Sequence, residues 1–269
     1  MTGRKTAHWI TAGVLLLGLT AGCGSAGPNG GSGSDPAGAL EQAGEQAAHS
    51  GSTRVHGTTS LGGGQPINYE GTLSWSSGTA GELSYSGAGT PTVVRFTDDA
   101  AYMSMPPSLS SVTGGKPWGK VTYADMASRF GGLGQVGPAL MTRTFPARSA
   151  ATLRQAGDLR RVGDDQLNGV SATHYTGTVE LATLVADLNL GLSDEVITGL
   201  RQELQKSGVS SEQLDIWVDQ RGYPVRQQAH DSAGTATVDY TDYGGPQPIS
   251  APPADQVFDM NQLLSGLPR

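Results

Sequence analysis

The apolar positions of this chain recur at two spacings, and each spacing predicts a different element. Ile67, Tyr69, Gly71, Leu73 and Trp75 alternate with Asn68, Glu70, Thr72, Ser74 and Ser76, the period of a strand with one apolar and one wet face. Val55, Gly57, Thr59 and Leu61 come before this run, and Gly81, Leu83 and Tyr85 follow it. Val94 and Phe96 lead to an Asp98-Asp99 turn, with Ala101 to Met105 as the returning strand. Glycine and aspartate clusters separate the runs, so the connections read as hairpins and the sheet as an antiparallel meander. Lys116 to Val121 is one further short strand. Between Ala124 and Ala147 strand character is lost, and Gly131, Gly132, Gly134, Gly137 and Pro138 break the chain.

Helical spacing appears in four places. Asp35-Pro36 is an N-cap followed by a first helical residue and opens a helix to about His49. Pro146 to Gln155 reads as helix. Ser193 caps a helix through Lys206, with acids at its start, Gly208 beyond its end, and one stripe of Val196, Ile197, Leu200 and Leu204. Asp255 to Leu264 reads as a terminal helix after the Pro252-Pro253 stop. The intervening strands fall at Leu159 to Val162, Ser171 to Val179 (with an Asn168-Gly169 turn), Leu214 to Asp219, Val225 to His230 and Ala236 to Tyr243. About ten strands with helices at the start, middle and end predict an α+β fold, an antiparallel sheet with helices on one face.

The first residues carry a different signal. Arg4 and Lys5 precede the apolar run Trp9 to Leu19, and Leu19-Thr20-Ala21-Gly22 leads into Cys23, the only cysteine. Basic, apolar and small residues in that order form an export signal. A cysteine directly after the small pair has the form of a lipobox, in which the thiol takes a diacylglyceryl group and becomes the new N-terminus. The run is shorter than the roughly 20 apolar residues of a membrane span. A free thiol or an intermolecular disulfide is the other reading of a single cysteine. Two acyl chains hold a protein at a bilayer stably where one does not. The organisation expected is a signal peptide over 1–22, a lipidated Cys23 with a Gly/Ser linker over 23–35, and one domain over 36–269. The linker has a coil span on the order of 20 Å. Residues 1–22 hold only the charges of Arg4 and Lys5, so their removal moves the net charge from -7 to -9. That balance, without a basic run, argues against nucleic acid and against electrostatic attraction to anionic lipid.

Catalytic and metal signatures are weak. Gly132-Leu133-Gly134-Gln135-Val136-Gly137 matches GxGxxG, but no strand precedes it and Pro138 follows at once, so a loop or lid is the better reading. His49, His56, His174 and His230 lack metal-ligand spacing and read as residues of wet strand faces. No GxSxG occurs. Asp98-Asp99 and Asp164-Asp165 read as turn chemistry. Asp215 and Asp219 alternate with Trp217 on one face, which reads as solvated surface, with a carboxylate pair as the catalytic alternative. No enzyme activity, metal or cofactor is expected.

Several longer stretches carry a resemblance. They are Val94 to Met105 (VRFTDDAAYMSM), Gly169 to Tyr175 (GVSATHY), Trp217 to Arg226 (WVDQRGYPVR), and Val238 to Tyr243 ahead of Ala251-Pro252-Pro253-Ala254-Asp255. With the lipobox and linker they resemble, in this order, actinobacterial lipoproteins of the LppX/LprA/LprF/LprG type, related in fold to LolA and LolB. The resemblance implies a strongly curved antiparallel half-barrel with helices on its concave side and a hydrophobic cavity between them. It also implies binding or transfer of acylated lipids or glycolipids, an N-terminal lipid anchor on the outer face of the cytoplasmic membrane, and an envelope transporter as partner. Only Cys23 carries over residue for residue. On this sequence Ile67, Tyr69, Leu73, Trp75, Leu83, Tyr85, Val94 and Phe96 would form one wall of such a cavity, and Val196, Leu200 and Leu204 a helical lid. The same residues also suit an ordinary core, which leaves an envelope interaction or sensor lipoprotein with a closed core as the rival reading.

Overall fold

A computed structural model of the protein describes residues 35–87, 91–130, 141–187, 194–206, 208–245 and 248–264. Cys23, the leader, the linker and the GxGxxG stretch lie outside the described residues. The chain opens with α1 (Pro36–Ser50), capped by the Asp35 carboxylate, which accepts from the amides of Ala37 and Gly38 at 3.1 Å each. Leu40, Ala43 and Ala47 form its buried stripe, and Gly51, in the left-handed region at φ 75°, turns the chain into β1. Then come β1 (Ser52–Leu61), β2 (Ile67–Ser74), β3 (Ala80–Ser86), β4 (Thr92–Phe96) and β5 (Ala100–Ser104), followed by α2 (Ser110–Thr113), β6 (Trp118–Thr122) and α3 (Tyr123–Phe130). The second half holds α4 (Pro146–Leu153), β7 (Arg160–Leu167), β8 (Val170–Glu180), α5 (Leu181–Asp187) and α6 (Asp194–Lys206). It ends with β9 (Ser211–Asp219), β10 (Pro224–Asp231), β11 (Gly234–Thr241), β12 (Val257–Asp259) and α7 (Asn261–Leu264).

Among the described residues the strands form one open sheet in the order β12-β6-β5-β4-β3-β2-β1-β11-β10-β9-β8-β7. Two meanders, β1 to β6 and β7 to β11, are joined where β1 pairs antiparallel with β11, Val55 opposite Tyr240 and Gly57 opposite Val238. The α+β class expected from the alternation is therefore the class observed, with helices on the concave face. The curvature follows from reach. Phe145, which caps α4, packs on Phe96 of β4, while α4 itself contacts β8, β9 and β10. On a flat sheet β4 and β9 would lie about 29 Å apart at roughly 4.8 Å per strand. An eight-residue helix is only about 12 Å long, so the sheet must wrap around it.

Three expectations are corrected. The sheet has twelve strands among the described residues instead of about ten. Asp255 to Leu264 is not one helix: Val257–Asp259 pairs parallel with Trp118–Lys120, Phe258 is buried, and Lys116 Nζ donates to the Val257 carbonyl at 2.9 Å. Asp164-Asp165 does not form a turn. It lies inside β7, which extends to Leu167, because Thr173 donates to Asp164 (2.8 Å) and the Trp217 indole to Asp165 (2.7 Å). The turn comes instead at Asn168-Gly169, both at positive φ, as the two-residue hairpin connection requires.

Candidate functional site

The register puts one row of residues from each strand on the inner face. Leu73 stands opposite Thr53 and Gly81, Gly71 opposite Val55 and Leu83, Tyr69 opposite Gly57 and Tyr85, and Ile67 opposite Thr59. Gly81 faces Phe96, Leu83 faces Val94, and Val94 faces Met103. The eight wall residues expected from the sequence thus come together on one surface, with Trp75 continuing the β2 row and donating its indole N–H to the Ala48 carbonyl at 2.9 Å.

Large rings fit here because they lie over glycines. A Cβ on Gly57 would sit 2.2 Å from the Tyr69 ring, and one on Gly81 would sit 2.3 Å from the Phe96 ring. Substituting either glycine would lift the ring off the sheet. Tyr69 and Tyr85 stand 5.6 Å apart. Burial raises the phenol pKa of both, and for Tyr69 the neighbouring Tyr85 adds to it, so both phenols are neutral at physiological pH.

Burial along this face is graded. At one end Leu73 and Phe96 are each 1 % exposed beneath Phe145, whose ring meets Trp75 at 5.5 Å and Phe96 at 6.4 Å, edge to face. Tyr69 and Leu83 follow, still buried. Toward the other end Ile67, Tyr85, Val94 and Thr92 are half-buried, and Met103 is 49 % exposed. The face is therefore an aromatic-lined trough, closed at the Trp75 end and accessible at the Met103 end.

The roof over the closed end is pinned from one side. Arg143 Nη2 lies 2.6 and 2.8 Å from the two carboxylate oxygens of the buried Glu212 on β9. Tyr240 Oη lies 2.8 Å from the Thr144 carbonyl and 2.8 Å from Gln227 Oε1, to which Ser149 of α4 also donates. These ties reach β9, β10 and β11, whereas Phe145 holds the β2–β4 side through ring contacts.

Sequence reasoning missed Phe145, Met141, Val238 and Tyr240, which belong to the same cluster. For Val238 and Tyr240 the period-two signal was present. Phe145 stands as an isolated ring before a proline and carries no periodic signal. Val196, Leu200 and Leu204 lie on α6, but their side chains are outside the described residues. Two outer clefts also carried no sequence signal. One of about 370 Å³ lies between Tyr102, Lys120 and Thr122 and the segment 251–259. The other, of about 380 Å³, includes Thr178, Gln213 and His230. Neither borders the trough.

The Asp215–Trp217–Asp219 row is not solvated surface. All three are buried on the outer face of β9. His174 stacks on Trp217 at 4.1 Å and lies 2.7 Å from Asp215, while Asp219 accepts from the amides of Arg221 and Tyr223. His174 is accordingly also not on a wet face. Cross-strand pairing buries these groups in a way that alternation alone does not reveal. No group of three or more potential metal ligands occurs among the described residues, and no described helix is long and apolar enough to cross a membrane.

No family model matches the chain. A Streptomyces griseus protein, an uncharacterized 31.2 kDa product of the rplA–rplJ intergenic region, is 30% identical over 246 residues, covering 85% of this chain and 80% of its own. A Streptomyces coelicolor protein that carries a lipoprotein designation is 28% identical over 243 residues, 84% of this chain and 76% of its own. The crystal structure of the Mycobacterium tuberculosis lipoprotein LppX matches with a TM-score of 0.50 at 14% identity, over 80% of this chain and 98% of that one. At that identity the match speaks for the fold.

Proposed function

We propose, from the premise that this chain belongs with its Streptomyces griseus relative and has the fold of LppX, that it is an extracytoplasmic lipoprotein of the LppX type and binds acylated lipids in the trough of its inner sheet face. The observation that carries the proposal is the graded burial of one continuous row, from Leu73 and Phe96 at 1 % exposed to Met103 at 49 %. A closed core would be buried throughout.

The mechanism is desolvation. Each methylene moved from water to an apolar wall gains about 0.8 kcal/mol. The neutral phenols of Tyr69 and Tyr85 add ring surface without charge. An acyl chain would enter at the Ile67–Val94–Met103 end and run toward Leu73, leaving a polar or glycosyl headgroup at the rim. In this reading Cys23 carries the membrane anchor, the linker holds the sheet near the bilayer, and an envelope transporter exchanges lipid with it. In this reading the predominantly apolar wall serves carriage of an acyl chain.

Native mass spectrometry of the purified protein should reveal co-purified acyl species, and delipidated protein should take up a fluorescent fatty acid. Val94→Glu, at the accessible end, should abolish uptake with the melt retained. Absence of both bound lipid and probe uptake would refute the reading, as would undiminished uptake by a folded Val94→Glu variant.

A further inference from the structure

The two ends of the β1–β6 meander differ sharply in charge. At the closed end stand Arg54, paired with Asp242 at 3.0 Å, the Asp98-Asp99 turn and Asp125. The acid near the accessible end, Asp231, lies across the seam in the β10–β11 turn and accepts from the amides of Ala233 and Gly234. At the accessible end, residues 62–66, 86–87, 91 and 104–115 contain no Asp, Glu, Lys or Arg. Lys116, the first charge after this stretch, is turned away to the Val257 carbonyl. The longest of these connections, between β5 and β6, is closed at its base by the Met105 amide donating to the Pro117 carbonyl at 2.8 Å. It carries Leu109 (36 % exposed) and Val112 (49 % exposed) on and beside α2. Together with Met103 they put three of the five large exposed hydrophobics among the described residues at the mouth of the trough.

We propose that this rim is a membrane-docking edge: Leu109 and Val112 enter the interfacial layer of a phospholipid bilayer and set the mouth of the trough against its acyl chains. The charge distribution selects both the occupant and the edge. A chain of net charge -7 is repelled by anionic lipid, and the charged opposite rim would have to be desolvated to enter the interface. The uncharged rim incurs neither cost, and the apolar area of Leu109 and Val112 supplies the attraction. The proposal deepens the acyl-chain reading by naming where lipid enters.

The test uses the full chain with Cys23→Ser, so that a single new cysteine is the only labelling site. A nitroxide on Val112→Cys should gain depth-dependent protection from aqueous quenchers when vesicles of phosphatidylcholine and phosphatidylglycerol are added, at low and high salt alike. A nitroxide on His56→Cys, exposed on the outer face, should stay in water. In the unlabelled chain, Leu109→Asp with Val112→Asp should slow transfer of a fluorescent fatty acid from vesicles at least about tenfold, the scale set by losing burial of two such side chains. Its uptake from solution should be unchanged. A Val112 label equally water-accessible with and without vesicles would overturn the proposal. So would a label already shielded without vesicles, which would mark a contact between two copies. Loss of uptake from solution in the parent chain refutes the acyl-chain reading and leaves the label to decide docking, so the two failures are distinguishable.

Discussion

The inner face of the sheet has two halves built from different residues. On β8 and β9, Val179, Tyr175, Leu214 and Ile216 meet Leu40 and Ala43 of α1 and Ala150 and Leu153 of α4. Small residues let the backbones close up: a Cβ on Gly177 would sit 2.6 Å from the Cβ of Ala156. On β1 and β3, Gly57 and Gly81 serve the opposite purpose, making room for the rings of Tyr69 and Phe96, and burial falls away toward one end. One half is a dry core in which helix and sheet are as close as backbone permits. The other is a ring-lined surface whose burial falls from Leu73 and Phe96 at 1 % to Met103 at 49 % exposed. Glycine on an inner strand face therefore indicates close helix packing in one place and a ring laid on the sheet in the other, and only its neighbours tell which.

Paired charge insertions give the largest test of that contrast. Ile216→Glu, at 0 % exposure under α4, should cost several kcal/mol and collapse the thermal melt of a domain of ordinary stability. Val94→Glu should leave a cooperative transition, because its carboxylate can reach water. Leu73→Glu should behave like Ile216→Glu, since Leu73 lies at the sealed end of the trough. Equal loss of melting temperature for Val94→Glu and Ile216→Glu would erase the distinction between the halves.

The next effect concerns the roof that spans them. Arg143→Ala would leave Glu212 buried without its partner, at a cost of about 1–3 kcal/mol. The Arg143 side chain is 36% exposed, which moderates the loss by solvent screening. Denaturant unfolding should register the drop, and Arg143→Ala with Glu212→Gln should recover part of it. No recovery would mean that the pair does not hold the roof.

Smaller effects come from titration. Tyr240 is buried where the two meanders join, and burial raises its pKa well above the ordinary 10.0. A group whose pKa is raised by folding contributes stability that is whole below its unfolded value and lost as pH climbs past it. Stability should therefore fall from about pH 10 upward, and Tyr240→Phe should flatten that fall; an unchanged alkaline slope would contradict it. Asp158 shows the opposite sign. The Thr178 backbone N–H, donating at 2.6 Å, holds its pKa below the carboxylate value. Its contribution is present above the unfolded value of 3.8 and disappears as acid is added below it. Asp158→Asn should slightly lower the melting temperature at neutral pH, and the difference should shrink as the pH is taken progressively below 3.8.

The legible parts of this molecule are those where one face is wet. Ile67 to Trp75 shows its inner row in the bare sequence because Asn68, Glu70 and Thr72 face water. The Asp35-Pro36 cap and the Asn168-Gly169 turn are local chemistry and fall where read. β12 could not be seen, because three residues show no period and its partner, β6, lies about 140 residues earlier. β7 is legible only as far as Val162, because Gly163 to Gln166 carry no apolar residue; its remainder pairs with β8 and takes hydrogen bonds from Thr173 of β8 and Trp217 of β9. His174, Asp215 and Asp219 read as surface because charge suggests water, whereas His174 and Asp215 satisfy one another across strands and Asp219 accepts from the turn that follows β9. The apolar inner face followed from alternation, but its gradient of burial did not, since which end is sealed depends on Phe145, a loop residue with no pattern of its own.

The junction of β1 with β11 has a consequence for the order in which this chain can acquire its structure. Thr53 donates across that seam to the carbonyl of Thr241, 188 residues later, so the middle of the sheet is made from nearly opposite ends of the chain. Pairings of such separation carry a large loop-closure cost and form slowly. While the C-terminal third is unfinished, β1 has an open edge and the aromatic row of β2 to β4 has no floor beyond it. A polypeptide synthesised from its N-terminus would thus remain unlocked until almost its whole length had emerged. On the proposed envelope location, that delay would keep the chain threadable during export.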